Sequence, residues 1–231
     1  MKNIQKKLLL PLAILIGLIP LANPFNIFND LKLFAFDTLQ QISPRDQLED
    51  DPIVIIDIDD QSLNNLGQWP WSRDLLSRLV SNTEQALTTS FDIVFAERDR
   101  TGSDVLSEQY SANSDLIKEL KKIKPNDRVF AESMESHSTV VLGSAPNNKL
   151  ITEDISPKYG LIIQGDSPKE FLPKYTGMQN NLPTLIDSSA GVGSMSIGGN
   201  SSIVRSLPTF EVVNGQIVPS LMLETLRVAI G

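Results

Sequence analysis

Apolar and polar positions divide the chain into an uncharged N-terminal run and a longer stretch of alternating strand-like and helix-like segments. The run extends from Leu8 to Asn29 without a charged residue. Residues 53–58 begin with a continuous β-branched run, Ile53 to Ile56, which is typical of a strand buried on both faces. Apolar residues at helical spacing then predict an amphipathic helix over residues 73–88. The strand, the turn and the helix together predict one βα unit.

The rest of the chain continues the alternation and predicts the fold class. Asn214-Gly215 accepts the positive φ values of a two-residue turn, so it predicts a hairpin between strands over 203–213 and 216–218. His137 lies in a polar segment, which predicts an exposed side chain. The pattern indicates an α/β protein, a single mixed β-sheet domain with flanking helices. The other predicted elements are a helix over 29–42, strands over 90–95, 128–131, 139–142 and 191–197, a surface helix over 104–123 broken around 111–114, irregular connections over 144–189, and a closing helix over 221–230.

The N-terminal run is long enough to cross a membrane. As a helix, its 22 residues would rise about 33 Å, whereas a hydrocarbon core is about 30 Å thick. Its most apolar part, Leu8 to Ala22, also has a length that suits the core of a signal peptide. Pro20-Leu21-Ala22 is a poor cleavage site, however, and apolar residues continue beyond it. The sequence therefore favours an uncleaved transmembrane helix.

Charges before the run orient it. Lys2, Lys6 and Lys7 precede it, and the positive-inside rule keeps such a terminus in the cytoplasm. We therefore expect a cytoplasmic tip and transmembrane anchor over residues 1–29, followed by a periplasmic domain over 30–231. Residues 30–52 are the helical connector at the start of that domain. This organisation predicts an inner-membrane protein that crosses the membrane once within this chain.

Composition excludes several classes of function. The net charge of −8 argues against nucleic acid as a partner, because phosphates require clustered lysines and arginines. The absence of cysteine excludes disulfides, thiolate metal sites and cysteine nucleophiles. No metal-spacing motif or phosphate loop occurs in the sequence, so neither a metal nor a cofactor is predicted.

The densest group of candidate functional residues follows the predicted strand. Asp57, Asp59 and Asp60 come first, and polar groups at the end of a buried strand are where open α/β sheets place their chemistry. Trp69-Pro70-Trp71 then leads into the helix, and its two indoles are expected to leave the backbone in different directions, one of them into the core. Ser72 is the predicted N-cap of that helix.

This segment resembles the CHASE sensory domains of the second class, which are extracytoplasmic modules of bacterial adenylate cyclases, histidine kinases and related receptors. The resemblance covers roughly residues 36–230. One element departs from the family pattern, because Gly199-Asn200-Ser201-Ser202 replaces an acidic Asp-x-Asp-Gly. The matching residues are Ile58, Asp59, Ser62, Leu63, Leu66, Gly67, Trp69, Pro70, Trp71 and Arg73, with further matches at Phe36-Asp37, Arg45, the Phe-Asp strand and acidic loop of 91–99, Val204-Arg205, Pro208 and Pro219-Ser220.

The resemblance implies a sensor rather than an enzyme. Such a domain would detect an unknown small-molecule or environmental ligand and relay the signal to a cytoplasmic output domain, as a homodimer in the full-length receptor. Alternatively, the two tryptophans pack in the core instead of binding a ligand, and the acidic residues lie in a solvated loop. The candidate ligand-binding or signature residues are Asp59, Ser62, Trp69, Trp71, Arg73, Asp92, Glu97, Asp99 and Arg205.

Two other functions remain open from the residues themselves. Asp57 and Asp59 imitate the strand-ending Asp-x-Asp of metal-dependent phosphotransferases, although Gln61 occupies a position where that site needs Thr or Ser. We expect Asp57 instead to pair with Arg73 or Arg205. The third possibility is a periplasmic binding module without signalling.

Overall fold

The computed structural model describes residues 27–44, 52–149, 158, 161–198 and 203–231. The chain divides into two compact units, residues 1–58 and 59–231. Most of the predicted anchor, like the departure at Gly199 to Ser202, lies outside the described residues. Within the described ranges, no helix is both long enough and apolar enough to cross a membrane.

The first unit contains one described helix and an extended segment. Helix α1, Ile27–Ile42, confirms the predicted helix. Residues 53–59 form neither helix nor strand, and the side chains of Ile53 to Ile56 are 57–87% exposed. The prediction of a buried strand here is therefore wrong. A β-branched run favours extended backbone, but a strand also needs a hydrogen-bonding neighbour and a covering layer, which local sequence does not supply.

The second unit is built around strand β2, Val140–Asn147. Strand β1 pairs in parallel with residues 140–142 of β2, β5 pairs in parallel with residues 141–144, and β4 pairs antiparallel with residues 145–147. In this unit the elements are α2 (Asp60–Leu66), α3 (Arg73–Asn82), β1 (Thr89–Phe91), α4 (Ser103–Gln109), α5 (Ser114–Leu120), α6 (Asn126–His137), β2, a 3-10 turn (Pro168–Glu170), β3 (Lys174–Tyr175), β4 (Gly177–Gln179), α7 (Pro183–Ser188), β5 (Gly191–Ser194), β6 (Phe210–Val213), β7 (Gln216–Pro219) and α8 (Leu221–Ile230).

The strands form two sheets, which corrects the prediction of a single one. The second sheet has the order β3-β6-β7. Its β6-β7 hairpin turns at Asn214 and Gly215, with φ values of 46° and 77°, as predicted. An isolated bridge between Ser194 and Ser220 connects the end of β5 to the residue that follows β7. Apart from this bridge, the described strands of the two sheets do not pair with each other.

The core of the second unit lies between the first sheet and helices α3, α6 and α7. Phe91, Phe95 and Phe130 contact one another edge to face, with ring centroids 5.4–5.7 Å apart. Helix α3 contributes Leu76 and Val80 to the same cluster. This helix begins where predicted and ends at Asn82, before Ala86 and Leu87. The apolar face predicted for this helix therefore packs against the core over a shorter length than expected.

Two other predictions fail around helix α6. Residues 128–131 are helical, not a strand, because buried Phe130 and Met134 are four residues apart and share one helix face. His137 is half-buried at the end of this helix rather than exposed. Its Nε2 lies 2.9 Å from the carbonyl oxygen of Thr83 and its Nδ1 lies 2.9 Å from the hydroxyl of Thr139. The predicted irregular connection over 144–189 is also shorter, since it includes the end of β2, strands β3 and β4, and helix α7.

Candidate functional site

Helix α2 and the turn that joins it to α3 are fixed by local polar contacts. The side chain of Asp59 caps α2 by accepting a hydrogen bond from the backbone N–H of Ser62 at 2.7 Å. The indole N–H of Trp71 donates to the carbonyl oxygen of Gly67 at 2.7 Å. Trp69 and Trp71 form an edge-to-face pair with ring centroids 5.8 Å apart, across a cis Trp69–Pro70 peptide bond. Trp71 packs against the core, as predicted for one of the two indoles.

Arg73, the first residue of α3, contacts two other segments of the chain, residues 95–99 and the start of α6. Its backbone N–H donates to Asp99 Oδ2 at 2.7 Å, and its Nη2 donates to the carbonyl oxygen of Glu97 at 3.3 Å. Its Nε lies 3.4 Å from Asp127 Oδ1, and the guanidinium stacks over the ring of Phe95 at 4.4 Å. Desolvation lowers the pKa of Arg73, while the charges of Asp127 and Asp99 oppose that shift.

The two carboxylates beside Arg73 have pKa values that shift in opposite directions. Burial alone would raise the pKa of Asp99, but hydrogen bonds from the backbone N–H groups of Arg73 and Thr101, and from the side chains of Asn126 and Thr101, outweigh burial and lower it. For Asp127, desolvation dominates and raises the pKa, although the backbone N–H of Asp99 and the charge of Arg73 oppose it. Asp99 is therefore the carboxylate whose ionised form this network stabilises most.

A cavity of about 440 Å³ opens over this network. Arg73 and Asp99 belong to its buried wall, whereas Glu97 and Arg100 are exposed. The apolar lining consists of Pro70, Trp71, Val94 and Ala96, and the polar lining of Arg73, Glu97, Arg98, Asp99, Arg100, Thr101 and Gln179. The cavity can hold a small molecule, since ligand sites commonly measure roughly 300–1,000 Å³.

Four of the predicted site residues line this cavity: Trp71, Arg73, Glu97 and Asp99. Asp59 caps α2, Ser62 lies in α2 and Trp69 lies in the turn that follows, and none of the three lines the cavity. Asp92 is exposed and Arg205 is half-buried, and neither lines the cavity. Sequence reasoning missed Arg98, Arg100, Thr101, Gln179 and the ion-pair partner Asp127.

Two expectations about Asp57 and Asp59 are corrected. Arg73 forms its ion pair with Asp127, where Asp57 was expected as its partner. The alternative pairing of Asp57 with Arg205 stays a prediction. The Asp-x-Asp interpretation requires both carboxylates at the end of a strand, but residues 53–59 form no strand and Asp59 acts as a helix cap. Within the described ranges, no group of three or more histidine or acidic side chains could hold a metal ion.

Comparison with known proteins identifies one family. The model of the CHASE2 domain matches residues 11–230, which is almost the whole chain and includes every residue that lines the cavity. Neither the curated proteins nor the solved structures contain a significant match. The match also agrees with the motif residues Trp69-Pro70-Trp71 and Arg73, which build the turn and the cavity wall. The chain therefore belongs to the CHASE2 family of extracytoplasmic sensory domains.

Proposed function

We propose that this chain is the membrane-anchored sensor part of a receptor, and that it detects its signal in the cavity over Arg73. The observation that carries the proposal is the overlap between motif and cavity: Trp71 and Arg73, both part of the motif, form its wall. The signal would pass to a cytoplasmic output domain outside this sequence. The proposal includes no catalytic step.

The contacts of Arg73 support a route for the signal within the second unit. Its side chain touches the loop that carries Glu97 and the helix that begins near Asp127, and its backbone holds Asp99. A ligand that moves the guanidinium would change the packing of α3 against α6, since both helices meet in the core at Leu76 and Phe130. Buried, close-packed contacts of this kind transmit small displacements because they cannot deform continuously.

The anchor and the extracytoplasmic location are tested together by labelling. The chain contains no cysteine, so a single Arg100→Cys substitution at the exposed mouth of the cavity provides a unique thiol. In intact cells from which the outer barrier has been made permeable, we expect a membrane-impermeant maleimide to label this thiol. An Asn3→Cys variant should react only after the inner membrane is opened, because the N-terminal lysines hold that end in the cytoplasm.

Alkaline phosphatase fused after Gly231 gives an independent measurement of the same topology. It should be active, and a reporter that works only in the cytoplasm should be silent at that position. In cells with a closed inner membrane, labelling of the Asn3→Cys variant but not of the Arg100→Cys variant would contradict the proposed location. An inactive phosphatase fusion would contradict it as well.

A further inference from the structure

We infer that the cavity over Arg73 binds a small organic oxyanion, a carboxylate or a phosphate ester, whose charged group contacts the guanidinium of Arg73. This inference rests on the proposed function, because it names the ligand class of the same cavity. Three features of the cavity wall support it: the unfilled donors of Arg73, the excess of arginine over acidic residues, and the apolar surface beside them.

The side chain of Arg73 is buried, and most of its donors make no hydrogen bond within the described part of the chain. The side chain is only 9% exposed, and its five N–H groups make one hydrogen bond within the described part of the chain, from Nη2 to the carbonyl oxygen of Glu97. Its Nε is buried, and although Asp127 Oδ1 lies 3.4 Å away, neither atom makes a hydrogen bond. Buried polar groups are normally bonded. A carboxylate or phosphate supplies two parallel acceptor oxygens, which match the fork of a guanidinium.

The charges around the cavity favour an anion. Three arginines and two carboxylates line it, in a chain whose net charge is −8. Arg98 is already paired with Asp104 and Glu108, at 2.6 and 3.0 Å, so Arg73 and Arg100 are the two arginines that can contact an anion. Both oxygens of Asp99 already accept hydrogen bonds, from Arg73, Thr101 and Asn126. Arg100 is exposed and contacts Glu97 at 3.4 Å, a weakly held surface pair that an incoming anion can replace. Arg73 therefore provides the inner anion contact and Arg100 an outer one.

The apolar wall requires the anion to carry an organic body. Trp71 lines the cavity, and because its indole N–H already donates to Gly67, it presents its ring surface. Pro70, Val94 and Ala96 extend this surface. Burial of apolar area on such a wall adds affinity that an inorganic ion cannot gain.

Tryptophan fluorescence tests the inference directly, since Trp69 and Trp71 are the two tryptophans of the chain and both lie in or beside the site. The probes are benzoate, phenyl phosphate, inorganic phosphate and benzamide, titrated into the full chain in mild detergent at fixed ionic strength. We expect a saturable change with benzoate or phenyl phosphate. Benzamide, which is neutral and has the same shape as benzoate, should bind at least tenfold more weakly, and so should inorganic phosphate.

Three variants identify the residues involved. Arg73→Lys keeps the charge but loses the fork, so it should weaken binding at least tenfold. Arg100→Gln changes an exposed side chain, leaves the fold intact, and should weaken binding severalfold. Arg78→Gln removes an exposed arginine of α3 that does not line the cavity, so binding should be unchanged. If Arg73→Lys does not fold, the comparison of ligand affinity between Arg100→Gln and Arg78→Gln still shows whether the cavity binds the anion.

The inference is overturned if no anion changes the fluorescence, if benzamide binds as tightly as benzoate, or if Arg100→Gln binds like the Arg78→Gln control. None of these results would alter the labelling of the Arg100→Cys variant from outside the inner membrane. Failure of the ligand class can thus be distinguished from failure of the proposed anchor and location.

Discussion

Asp99 combines four hydrogen bonds in one buried side chain. It accepts from the backbone N–H groups of Arg73 and Thr101, at 2.7 and 2.8 Å, and from the side chains of Thr101 and Asn126, at 2.8 and 2.9 Å. These donors come from the start of α3, the loop of 96–102 and the start of α6. An ionised carboxylate suits this position because it offers acceptors only. Asp99 therefore joins these three segments beside the cavity.

We expect an Asp99→Asn variant to be less stable than the parent by about 1–3 kcal/mol at pH 7, because an amide cannot accept from all four donors. The pKa of Asp99 is lowered in the folded protein, so its ionised form stabilises the fold above the ordinary pKa of about 3.9. That stabilisation is lost as the pH falls through the lower folded-state pKa. The difference between variant and parent should therefore shrink below about pH 4.

Urea unfolding of the full chain at several pH values between 7 and 3 measures this difference. Asp92→Asn provides the control, because Asp92 is exposed and belongs to the same acidic segment. A difference that stays constant across this pH range would show that the charge of Asp99 contributes nothing.

Helix α8 packs closely against two glycines of β5. A Cβ atom placed on Gly193 would lie 2.4 Å from the Cα of Leu221, and one placed on Gly191 would lie 2.1 Å from Glu224 Oε1. The helix begins at the N-cap Ser220, whose side chain accepts from the backbone N–H of Leu223 at 3.3 Å. The start of α8 is thus fixed by backbone contact with the strand.

A Gly193→Ala substitution should push the start of α8 away from β5. The neighbouring atom is backbone and cannot rotate aside, so we expect a loss of at least about 1–3 kcal/mol, typical of overpacking. Ser90→Ala is the control: it removes the hydroxyl contact with Thr225 on the exposed side of the same helix, and should change stability by less than about 0.5 kcal/mol. Thermal melts of both variants give the comparison. Equal melting temperatures would disprove the close contact.

The two sheets of the second unit meet at a buried polar contact. Ser194, at the end of β5, donates to Glu211 Oε2 on β6 at 2.5 Å. Glu211 is fully buried, and its other oxygen, Oε1, makes no hydrogen bond. A buried carboxylate with one partner is costly when that partner is lost, because the remaining group is neither solvated nor bonded.

Removal of the Ser194 hydroxyl alone should therefore destabilise the fold more than removal of both Ser194 and Glu211 side-chain polar groups. We expect Ser194→Ala to cost about 1–3 kcal/mol, since it leaves Glu211 without its hydroxyl donor. The double variant Ser194→Ala with Glu211→Met should recover most of that loss, because an apolar pair of similar volume carries no desolvation cost. A double-mutant cycle by urea unfolding measures the coupling. Additive losses would show that the contact does not join the sheets.

Local sequence determined the features that depend on neighbours along the chain. Ser72 and Ser220 cap their helices, the Asn214-Gly215 turn closes its hairpin, and helix α1 forms, because each of these rests on backbone groups or side chains a few residues apart. The family could also be predicted, since its motif is a contiguous run that ends at Arg73.

Tertiary structure alone decided which segments became strands and which charged side chains formed ion pairs. The run of Ile53 to Ile56 has the composition of a buried strand but forms none, because pairing and burial come from distant segments. Asp127 gave no signal in the sequence, yet it is the ion-pair partner of Arg73 across 54 positions of the chain. An arginine-rich cavity in an acidic chain likewise exists only because the loop of 96–101 folds over the start of α3. The spacing of apolar residues along the chain indicates which secondary structure a segment favours. A binding site depends instead on contacts between residues far apart in sequence.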